Sequence, residues 1–243
     1  MNVIKLDATA STNTYLKGLL TSYDLDNFTV VSTENQFAGR GQRGEVWSSE
    51  VGSNLTFSVL VRDFLFEVED VFCLNIIAAL AVRSAVKKIF TLELDVKWPN
   101  DILSVNRKVG GILIENIFKA EGAITSIVGI GLNVNQVQFT DLTKATSLAL
   151  LLGRQIDKDA LMLKVVEELE MYCQRLQKGE KENLWQEYLD VLYRKGIPSA
   201  FELPTGKRFM GMIIGVSMYG FLQVKLEDDS VEEFGVKEIK LLY

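Results

Sequence analysis

The 243-residue sequence contains no histidine, and this absence restricts the chemistry open to it. Ser-His-Asp and Cys-His nucleophile pairs are excluded, as are zinc sites that depend on imidazole. Any reaction must rely on lysine, arginine, carboxylate, amide and hydroxyl groups and on backbone amides. These groups suit reactions driven by positioning and charge stabilisation, such as transfer at phosphorus or at an activated acyl group.

Cysteine and long apolar runs are also scarce. The two cysteines, Cys73 and Cys173, lie far apart in segments that we interpret as helices, and they match no zinc or disulfide spacing. We expect buried or incidental thiols in a reducing cytoplasm. No apolar stretch is long enough to span a bilayer, and the N-terminus lacks the residue order of a signal peptide. The sequence therefore predicts a cytoplasmic protein without a membrane partner.

The charge balance argues against a nucleic-acid partner. The formal net charge is −6, whereas proteins that bind a duplex usually present a basic face. The composition, 48% hydrophobic and 24% charged, is typical of a soluble globular protein with a sizeable core.

Hydrophobic periodicity predicts a mixture of helices and strands in the first 195 residues. Ser11 and Thr12 are natural N-caps, which predicts a helix from about Thr12 to Leu20. Strands are predicted over Asn54 to Arg62, Lys108 to Asn116 and Ala123 to Gln136. In the first of these strands, the residues expected on one face are Leu55, Phe57, Val59 and Val61.

Apolar residues recur at helical spacing in three further segments, and after Gly196 the pattern changes to short β runs. A long helix is predicted within "EVEDVFCLNIIAALAVRSAVKKIF", two helices within residues 147–179, the second opened by Asp157, and one within residues 181–196. Short β runs with glycine turns then predict a compact barrel or sandwich. We expect an α+β fold: residues 1–195 form a mixed, mostly antiparallel sheet with helices packed on one side, and residues 196–243 form a small β barrel.

The segment "NQFAGRGQRGEVWSS" contains the pattern Gly39-x-Gly41-x-x-Gly44 of a dinucleotide-binding turn. Such a turn needs a helix directly after the glycines, and the segment that follows is polar and then β, so we interpret the match as accidental. Two interpretations remain. The segment is a surface hairpin with solvated arginines, or a loop in which Arg40, Arg43 and backbone amides handle phosphate.

A second unusual stretch runs from Lys97 to Glu115. Trp98-Pro99-Asn100-Asp101 places two short polar side chains at a rigid break after a strand, and Lys108 precedes two glycines at the start of the next strand. Each motif also has a purely structural interpretation: Trp98-Pro99-Asn100-Asp101 as a turn, and Lys108 as a solvated charge. Taken together with the glycine-arginine loop, they suit a site that activates a carboxylate with a nucleotide.

These motifs, in this order, resemble those of the biotin–protein ligases. The similarity covers nearly the whole chain, and the terminal β module matches the SH3-like domain of that family. The motifs that carry it are Ser11-Thr12-Asn13, Gln36, Gly39-Arg40-Gly41-Gln42-Arg43-Gly44 with Trp47, Lys97-Trp98-Pro99-Asn100-Asp101, Lys108-Val109-Gly110-Gly111-Ile112-Leu113 and Gly129-Ile130-Gly131-Leu132-Asn133.

The resemblance implies a two-step reaction. Biotin and ATP with Mg²⁺ give biotinyl-5'-AMP and pyrophosphate, and the biotinyl group then passes to a lysine of a biotin carboxyl carrier protein. The resemblance further implies a biotin site of Ser11, Thr12, Asn13, Gln36, Arg40, Gly41, Gln42, Lys108, Gly111 and Leu113. It implies a nucleotide site of Arg40, Arg43, Trp47, Asn100, Lys108 and Asn133, and catalytic roles for Arg40, Arg43, Asp101 and Lys108.

Within that set the resemblance implies particular roles. Ser11, Thr12 and Gln36 hydrogen-bond the ureido ring, and Lys108 bridges the biotin carboxylate and the α-phosphate. The arginines and amides of the loop close over the carboxylate and phosphates. The adenine is held by Trp47 and Asn133. Asp101 orients or deprotonates the incoming lysine, or helps to hold Mg²⁺, and these three roles stay open.

Two departures from the family pattern are visible. Many relatives have arginine where this chain has Gln42, and Arg43 is a candidate to supply the missing charge. Some members also carry an N-terminal DNA-binding domain, for which the ten residues before Ser11 leave no room. We therefore expect a ligase that is not a repressor, either monomeric or homodimeric.

Three other functions compete with this one. A lipoate–protein ligase shares the fold and the adenylate chemistry, but its relatives usually show a histidine, which this chain lacks. Octanoyl transfer through a cysteine needs an activated thiol, and neither Cys73 nor Cys173 has an evident activator. In a non-enzymatic ligand-binding or interaction module, Asp101, Lys108 and the loop arginines would have no catalytic role.

Overall fold

Seven strands form the larger of two sheets. The computed structural model describes residues 2–65, 70–118, 124–139 and 144–243, with the exception of the side chain of Arg43. Ala123, the first residue of a predicted strand, lies outside them, as do residues 67–69 at the start of the predicted long helix. The strands are β1 (Val3–Thr9), β2 (Val30–Gln36), β3 (Leu55–Arg62), β4 (Asp95–Lys97), β5 (Asp101–Ser104), β6 (Arg107–Phe118) and β7 (Ile124–Leu132).

The strand order of this sheet is β1-β2-β3-β7-β6-β5-β4. Within this order β1 and β2 pair in parallel, and the other five neighbouring pairs are antiparallel. The prediction of a mixed, mostly antiparallel sheet is confirmed. Because β3 and β7 lie in the middle and are buried along nearly their whole length, they form the floor on which the other elements pack.

The described residues form five helices beside the sheets: α1 (Thr12–Leu19), α2 (Val71–Phe90), α3 (Leu148–Leu152), α4 (Lys158–Gln177) and α5 (Lys181–Asp190). Hydroxyl and carboxylate N-caps start three of them. Ser11 Oγ accepts from Thr14 N, Ser147 from Leu150 N, and Asp157 from the amides at the start of α4. The predicted capping of α1 by Ser11 and the opening of α4 by Asp157 are confirmed.

The helices cover both faces of the large sheet, so the prediction that they pack on one side is wrong for α1. Leu16 of α1 packs with Val31, Leu60 and Ile127 in a small core of its own. The alternate residues of the same strands face the main core with α2 and α4. Side chains alternate along a strand, so apolar residues at successive positions of β3 require a cover on each face. The predicted shared face is confirmed for Leu55, Phe57, Val59 and Val61.

A buried carboxylate joins α2 to α4. Glu168 is 2% exposed, and Lys88 Nζ lies 2.7 Å from each of its oxygens. Ser84 Oγ donates to it at 2.7 Å, and Lys164 Nζ lies 3.1 Å away. Burial raises the pKa of Glu168, but the hydrogen bonds from Lys88, Ser84 and Lys164 outweigh burial and hold the pKa below its ordinary value.

The second sheet has the order β11-β10-β9-β8-β12 and is antiparallel throughout. Its strands are β8 (Pro198–Glu202), β9 (Arg208–Val216), β10 (Leu222–Leu226), β11 (Val231–Phe234) and β12 (Lys240–Leu242). The predicted closed barrel is wrong. After β11 the chain turns tightly through Lys237 at φ 70°, and β12 pairs with β8 rather than with β11. In residues 196–243, all described, β11 and β12 are the two edges of an open sheet.

The small sheet is attached to the end of β4. Trp98 Nε1 donates to the carbonyl of Gly220 at 2.9 Å, and the ring of Phe72 lies directly under that glycine. Val96 and Leu192 form a parallel bridge, as do Lys195 and Ile213. The segment that leads to Asp101 is therefore anchored to both sheets. Among the residues that the structure describes, no helix is long and apolar enough to cross a membrane.

Candidate active site

A cavity of about 920 Å³ lies between the large sheet, the glycine-arginine segment and the small sheet; we call it the central cavity. It gathers motifs that lie far apart in sequence, from Ser11 to Gly131. The predicted site residues that line it are Ser11, Thr12, Asn13, Gln36, Arg40, Gly41, Gln42, Trp47, Asn100, Asp101, Lys108, Gly111 and Leu113. The side chain of Arg43 is outside the described part of the structure, and Asn133 does not line the cavity.

Four polar side chains at the head of α1 form the first part of the site, which we call the polar cradle: Thr12, Asn13, Gln36 and Ser58. Gln36 Oε1 accepts from Thr12 N at 2.9 Å and from Thr12 Oγ1 at 3.3 Å. Ser58 Oγ lies 2.7 Å from Thr12 Oγ1 and 2.6 Å from Asn13 Oδ1. The cradle is fixed before any ligand arrives, since each member is held by another.

Asn13 reaches across to β6 because β7 has no side chain in its path. Its Nδ2 donates to Glu115 Oε2 at 2.7 Å and lies 3.3 Å from the carbonyl of Leu113. A Cβ on Gly129 would lie 2.4 Å from Asn13 Oδ1. Gly129 is therefore a steric requirement of the cradle, rather than a turn residue.

The glycine-arginine segment, Gly39 to Gly44, is a hairpin and not the start of a helix; we call it the Gly-Arg loop. Arg40 forms an antiparallel bridge with Val46, and Gly41 N donates to the carbonyl of Glu45 at 2.6 Å. Its only helical piece is a three-residue 3-10 turn, Gln42–Gly44. The dinucleotide-binding interpretation is excluded, because no helix N-terminus is present to receive a pyrophosphate.

The indole of Trp47 lies across the glycines of β6 and β7. A Cβ on Gly131 would lie 2.5 Å from Trp47 Cε2, and a Cβ on Gly111 would lie 3.8 Å from Trp47 Cζ3. Trp47 Nε1 and Gln42 Oε1 are buried without a hydrogen-bond partner in the described portion of the chain. Buried polar atoms are rarely left unpaired, so this donor and this acceptor are expected to gain partners when the cavity is filled.

Asp101 lies between two ammonium groups. Lys108 Nζ is 2.6 Å from Asp101 Oδ1, and Lys97 Nζ is 3.3 Å from Asp101 Oδ2. Lys108 Nζ also lies 5.8 Å from the centre of the Trp47 ring and is packed close to Gly111. Lys108 therefore lies near Trp47, the Asp101 carboxylate and Gly111 at once, and its charge faces the cavity that all four residues line.

Asn100 and Asn133 both hold backbone. Asn100 Nδ2 donates to the carbonyl of Ile112 at 2.6 Å, which fixes the break before Asp101 against β6. Asn133 is buried, and its Nδ2 donates to the carbonyl of Thr146 at 3.1 Å and approaches that of Lys108 at 3.4 Å. The structure thus places Asn133 behind the cavity wall, where its amide anchors the segment after residue 144.

The sequence interpretation missed several residues of the site. Ser58 is fully buried and does not line the cavity, but it holds two members of the cradle; in the sequence it is one of several polar residues in "NLTFSVLVR". Lys144, Tyr193 and Tyr243 do line the cavity, and nothing in their sequence neighbourhood indicates it. Burial raises the pKa of Cys73 to about 11 and of Cys173 to about 12, so both thiols are protonated, and neither lines the central cavity.

Comparison with known proteins places these features in one family. The model of the biotin/lipoate A/B protein ligase family matches residues 6–135, more than half of the chain. A biotin–[acetyl-CoA-carboxylase] ligase of Mycobacterium tuberculosis is 30% identical over 218 residues, covering 88% of this chain and 79% of that protein. The chain belongs to the biotin/lipoate A/B protein ligase family.

Other relatives are longer, and solved structures agree over the whole chain. A bifunctional ligase/repressor of Bacillus subtilis is 37% identical over 134 residues, which are 54% of this chain and 41% of that protein. The chain thus matches about two fifths of the length of that relative. A biotin protein ligase mutant from Aquifex aeolicus in complex with biotin superposes with a TM-score of 0.81 at 26% identity, covering 100% of this chain and 98% of that one. The enzyme from the same organism with biotin and ATP gives 0.80 at 25% identity, covering 99% and 98%.

Proposed function

We propose that this chain is an ATP-dependent biotin–protein ligase. It activates biotin as biotinyl-5'-AMP and transfers the biotinyl group to a lysine of a biotin carboxyl carrier protein. The observation that carries the proposal is that the polar cradle, the Gly-Arg loop and the Asp101–Lys108 ion pair line one cavity. The cradle suits a neutral polar ring, and the ion pair and loop suit an anion. The relatives named as biotin ligases support the choice of substrate.

The biotin end is assigned to the cradle. Gln36 Oε1 is already held by Thr12, which leaves the Nε2 hydrogens of Gln36 for a ureido oxygen. Ser11 Oγ and Thr12 Oγ1 lie at the head of α1 beside it. A site that pairs every polar atom of a ligand discriminates strongly against analogues that lack them. Asn13, Gly111 and Leu113 form the walls of this end, and the carboxylate of biotin points to Lys108.

The first step is adenylation. A biotin carboxylate oxygen attacks the α-phosphorus of ATP, the bond from that phosphorus to the bridging oxygen breaks, and pyrophosphate leaves. Lys108 stabilises charge on both reacting groups, and Arg40, the amides of Gly41 and Gln42, and Arg43 close over them. Lys108 already forms an ion pair in the free site, so its position costs little to establish.

The second step is acyl transfer. The neutral amine of the carrier lysine attacks the acyl carbon, and the bond from that carbon to the AMP oxygen breaks. We assign Asp101 to orient the amine and to take up its proton. Both oxygens of Asp101 are paired with ammonium groups, and the described residues contain no cluster of three metal-ligating carboxylate or thiolate groups, so Asp101 does not fit a resident magnesium site. Mg²⁺ is proposed to enter as the ATP complex, bound to phosphate oxygens.

The adenine is assigned to Trp47. Its indole offers a stacking surface, and its Nε1 is buried without a hydrogen-bond acceptor among the described residues. Asn100 and Asn133 stay predictions as nucleotide contacts, since each already donates to backbone. We further propose that residues 1–195 hold the reaction centre and that residues 196–243 form a second domain that closes one side of the cavity. A cytoplasmic location and a monomeric or homodimeric state also stay predictions.

The test is biotin-dependent exchange between ATP and pyrophosphate, with lipoate and octanoate in parallel. We expect exchange with biotin alone, and a loss of about 10²–10³-fold in Lys108→Ala and in Arg40→Ala, the effect of removing one charge-stabilising donor. The matched control is Arg107→Ala, because Arg107 neighbours Lys108 on β6 but is exposed and outside the cavity. Exchange with lipoate instead would move the chain to the lipoate branch of the family. No exchange with any of the three acids, from folded protein, would refute the ligase function.

A further inference from the structure

The aromatic ring of Tyr243 lies between two lysines at the edge of the central cavity. Lys144 Nζ is 4.1 Å from the ring centre and Lys97 Nζ is 5.3 Å from it. Both distances fall within the range of cation–π contacts, which extends to about 6 Å. Lys144 Nζ also donates to the backbone carbonyl of Tyr243. The ring itself is held edge-on by Tyr193 at 5.4 Å, directly after β12 pairs with β8.

These lysines belong to a concentration of positive charge in an otherwise acidic chain. Lys97 Nζ and Lys108 Nζ share the single carboxylate of Asp101, at 3.3 and 2.6 Å. Lys144 is tied to the same place through backbone, since Lys108 N donates to its carbonyl at 2.6 Å. Asp101 thus pairs with two of three neighbouring ammonium groups, with Lys97 at the longer distance, and does not pair with Lys144. The mutual repulsion of the three groups favours outward movement of Lys97 and Lys144. The ring of Tyr243 opposes that movement for Lys97 and Lys144.

We infer that Tyr243 is a positioning residue, whose ring holds Lys97 and Lys144 beside Lys108 so that their ammonium groups bind the outer two phosphates of ATP and the pyrophosphate product. The inference rests on the proposed function and adds to it a polyphosphate subsite built partly by the small sheet. Tyr243 touches no reacting atom and acts through the two lysines. The excess of ammonium over carboxylate matches a polyanion and does not match the neutral ureido ring or the carrier amine.

The ring, and not the hydroxyl, carries this role. Burial, then Asp101 and Tyr193, raise the pKa of the Tyr243 phenol, so the phenol is neutral at neutral pH and offers the lysines no phenolate. Phenylalanine at this position retains the π face. Tyr243→Phe is therefore expected to preserve the subsite, whereas Tyr243→Ala removes it.

The experiment measures, for the full chain, the KM for ATP, the dissociation constant for biotin and the inhibition constant for inorganic pyrophosphate. We expect Tyr243→Ala to raise the KM for ATP and the pyrophosphate inhibition constant by about tenfold, as two weak cation–π contacts imply, with biotin binding unchanged. Tyr243→Phe is expected to stay within about twofold of wild type. The matched control is Tyr219→Ala, since Tyr219 is 61% exposed in the same small sheet and does not line the cavity.

Lys144→Ala serves as a second variant if Tyr243→Ala is unstable, because Lys144 is exposed. It should raise the same two constants. In the double variant, the change in binding free energy should be smaller than the sum of the changes in the two single variants. Wild-type exchange with unaltered constants in both Tyr243→Ala and Lys144→Ala would overturn this inference alone. Absence of exchange in the wild type would overturn the proposed function itself. Equal damage in Tyr243→Phe and Tyr243→Ala would show that the ring is not the active feature.

Discussion

Gly131→Ala tests whether the cavity depends on the fit between Trp47 and a bare strand. The added Cβ would lie 2.5 to 2.9 Å from three indole atoms, Cε2, Cζ2 and Nε1. Carbon atoms rest about 3.5–4.0 Å apart, so the indole must retreat by about 1 Å. Gly131 pairs with Gly111 across β6 and β7 in extended backbone, so the substitution introduces no backbone strain. The whole effect falls on Trp47.

The expected result is a selective loss of nucleotide affinity. A displaced indole forfeits its stacking with adenine, worth about 0.5–1.5 kcal/mol, which corresponds to a rise of about two- to twelvefold in the dissociation constant for ATP. Biotin affinity should change by less than about twofold, because the polar cradle is not touched. Isothermal titration with each ligand separates the two effects.

Two controls define the outcome. Gly18→Ala adds the same methyl group in α1, where nothing lies within 4 Å, and should leave both affinities alone. The double variant with Trp47→Phe should recover part of the Gly131→Ala loss, since a smaller ring relieves the overlap. If Gly131→Ala binds ATP as wild type does, or if it loses biotin and ATP equally, Trp47 does not provide the adenine surface.

Three further predictions concern groups outside the nucleotide site. Ser58→Ala should weaken biotin binding about fivefold by titration calorimetry, since it removes two hydrogen bonds that hold Thr12 and Asn13, and wild-type affinity would contradict the role of the cradle. Glu168 has a pKa below its ordinary value of 4.5, so its ionised form stabilises the fold above that pH, and this stability is lost as the pH falls through the lowered value. Glu168→Gln should therefore unfold more readily than wild type at pH 7 and lose less further stability on acidification. Parallel curves of unfolding free energy against pH for the two proteins would refute this. Replacement of both cysteines by alanine should leave pyrophosphate exchange intact, whereas its abolition in folded protein would revive a thiol mechanism.

The sequence predicted the large sheet well because its strands carry strong local signals. Alternating apolar residues and short turns indicate antiparallel neighbours, and Ser11 and Asp157 mark helix starts through their caps. The side of the sheet on which α1 packs could not be predicted. Val59, Leu60 and Val61 are successive apolar residues of β3, so local pattern does not show which of its two faces a given helix will cover.

The candidate site was predictable where motifs crowd chemistry into a few residues, and not where single residues arrive from afar. Lys108 and Asp101 stand in distinctive motifs, and they prove to be 2.6 Å apart. Lys144 and Tyr243 are 99 positions apart in sequence, and the contact of the Lys144 ammonium group with the Tyr243 carbonyl is one that no local pattern encodes. Asn133 is the reverse case. It stands in a distinctive motif, but its side-chain amide donates to the backbone carbonyl of Thr146 and does not line the cavity. The closed barrel failed for a related reason, since closure depends on which strand β12 chooses.

Because Trp98 donates a hydrogen bond to Gly220, ligand binding in the central cavity is expected to change the stability of the turn around Gly220 in the small sheet. Any ligand that stabilises the segment from Lys97 to Asp101 also stabilises the turn to which Trp98 is bonded, by mass action on their shared opening equilibrium. Amide hydrogens of residues 217–221 should therefore exchange more slowly with solvent when biotin and ATP are present, although those amides lie outside the cavity floor. The protection should scale with ligand concentration and vanish in Trp98→Phe, which keeps the ring and loses the donor.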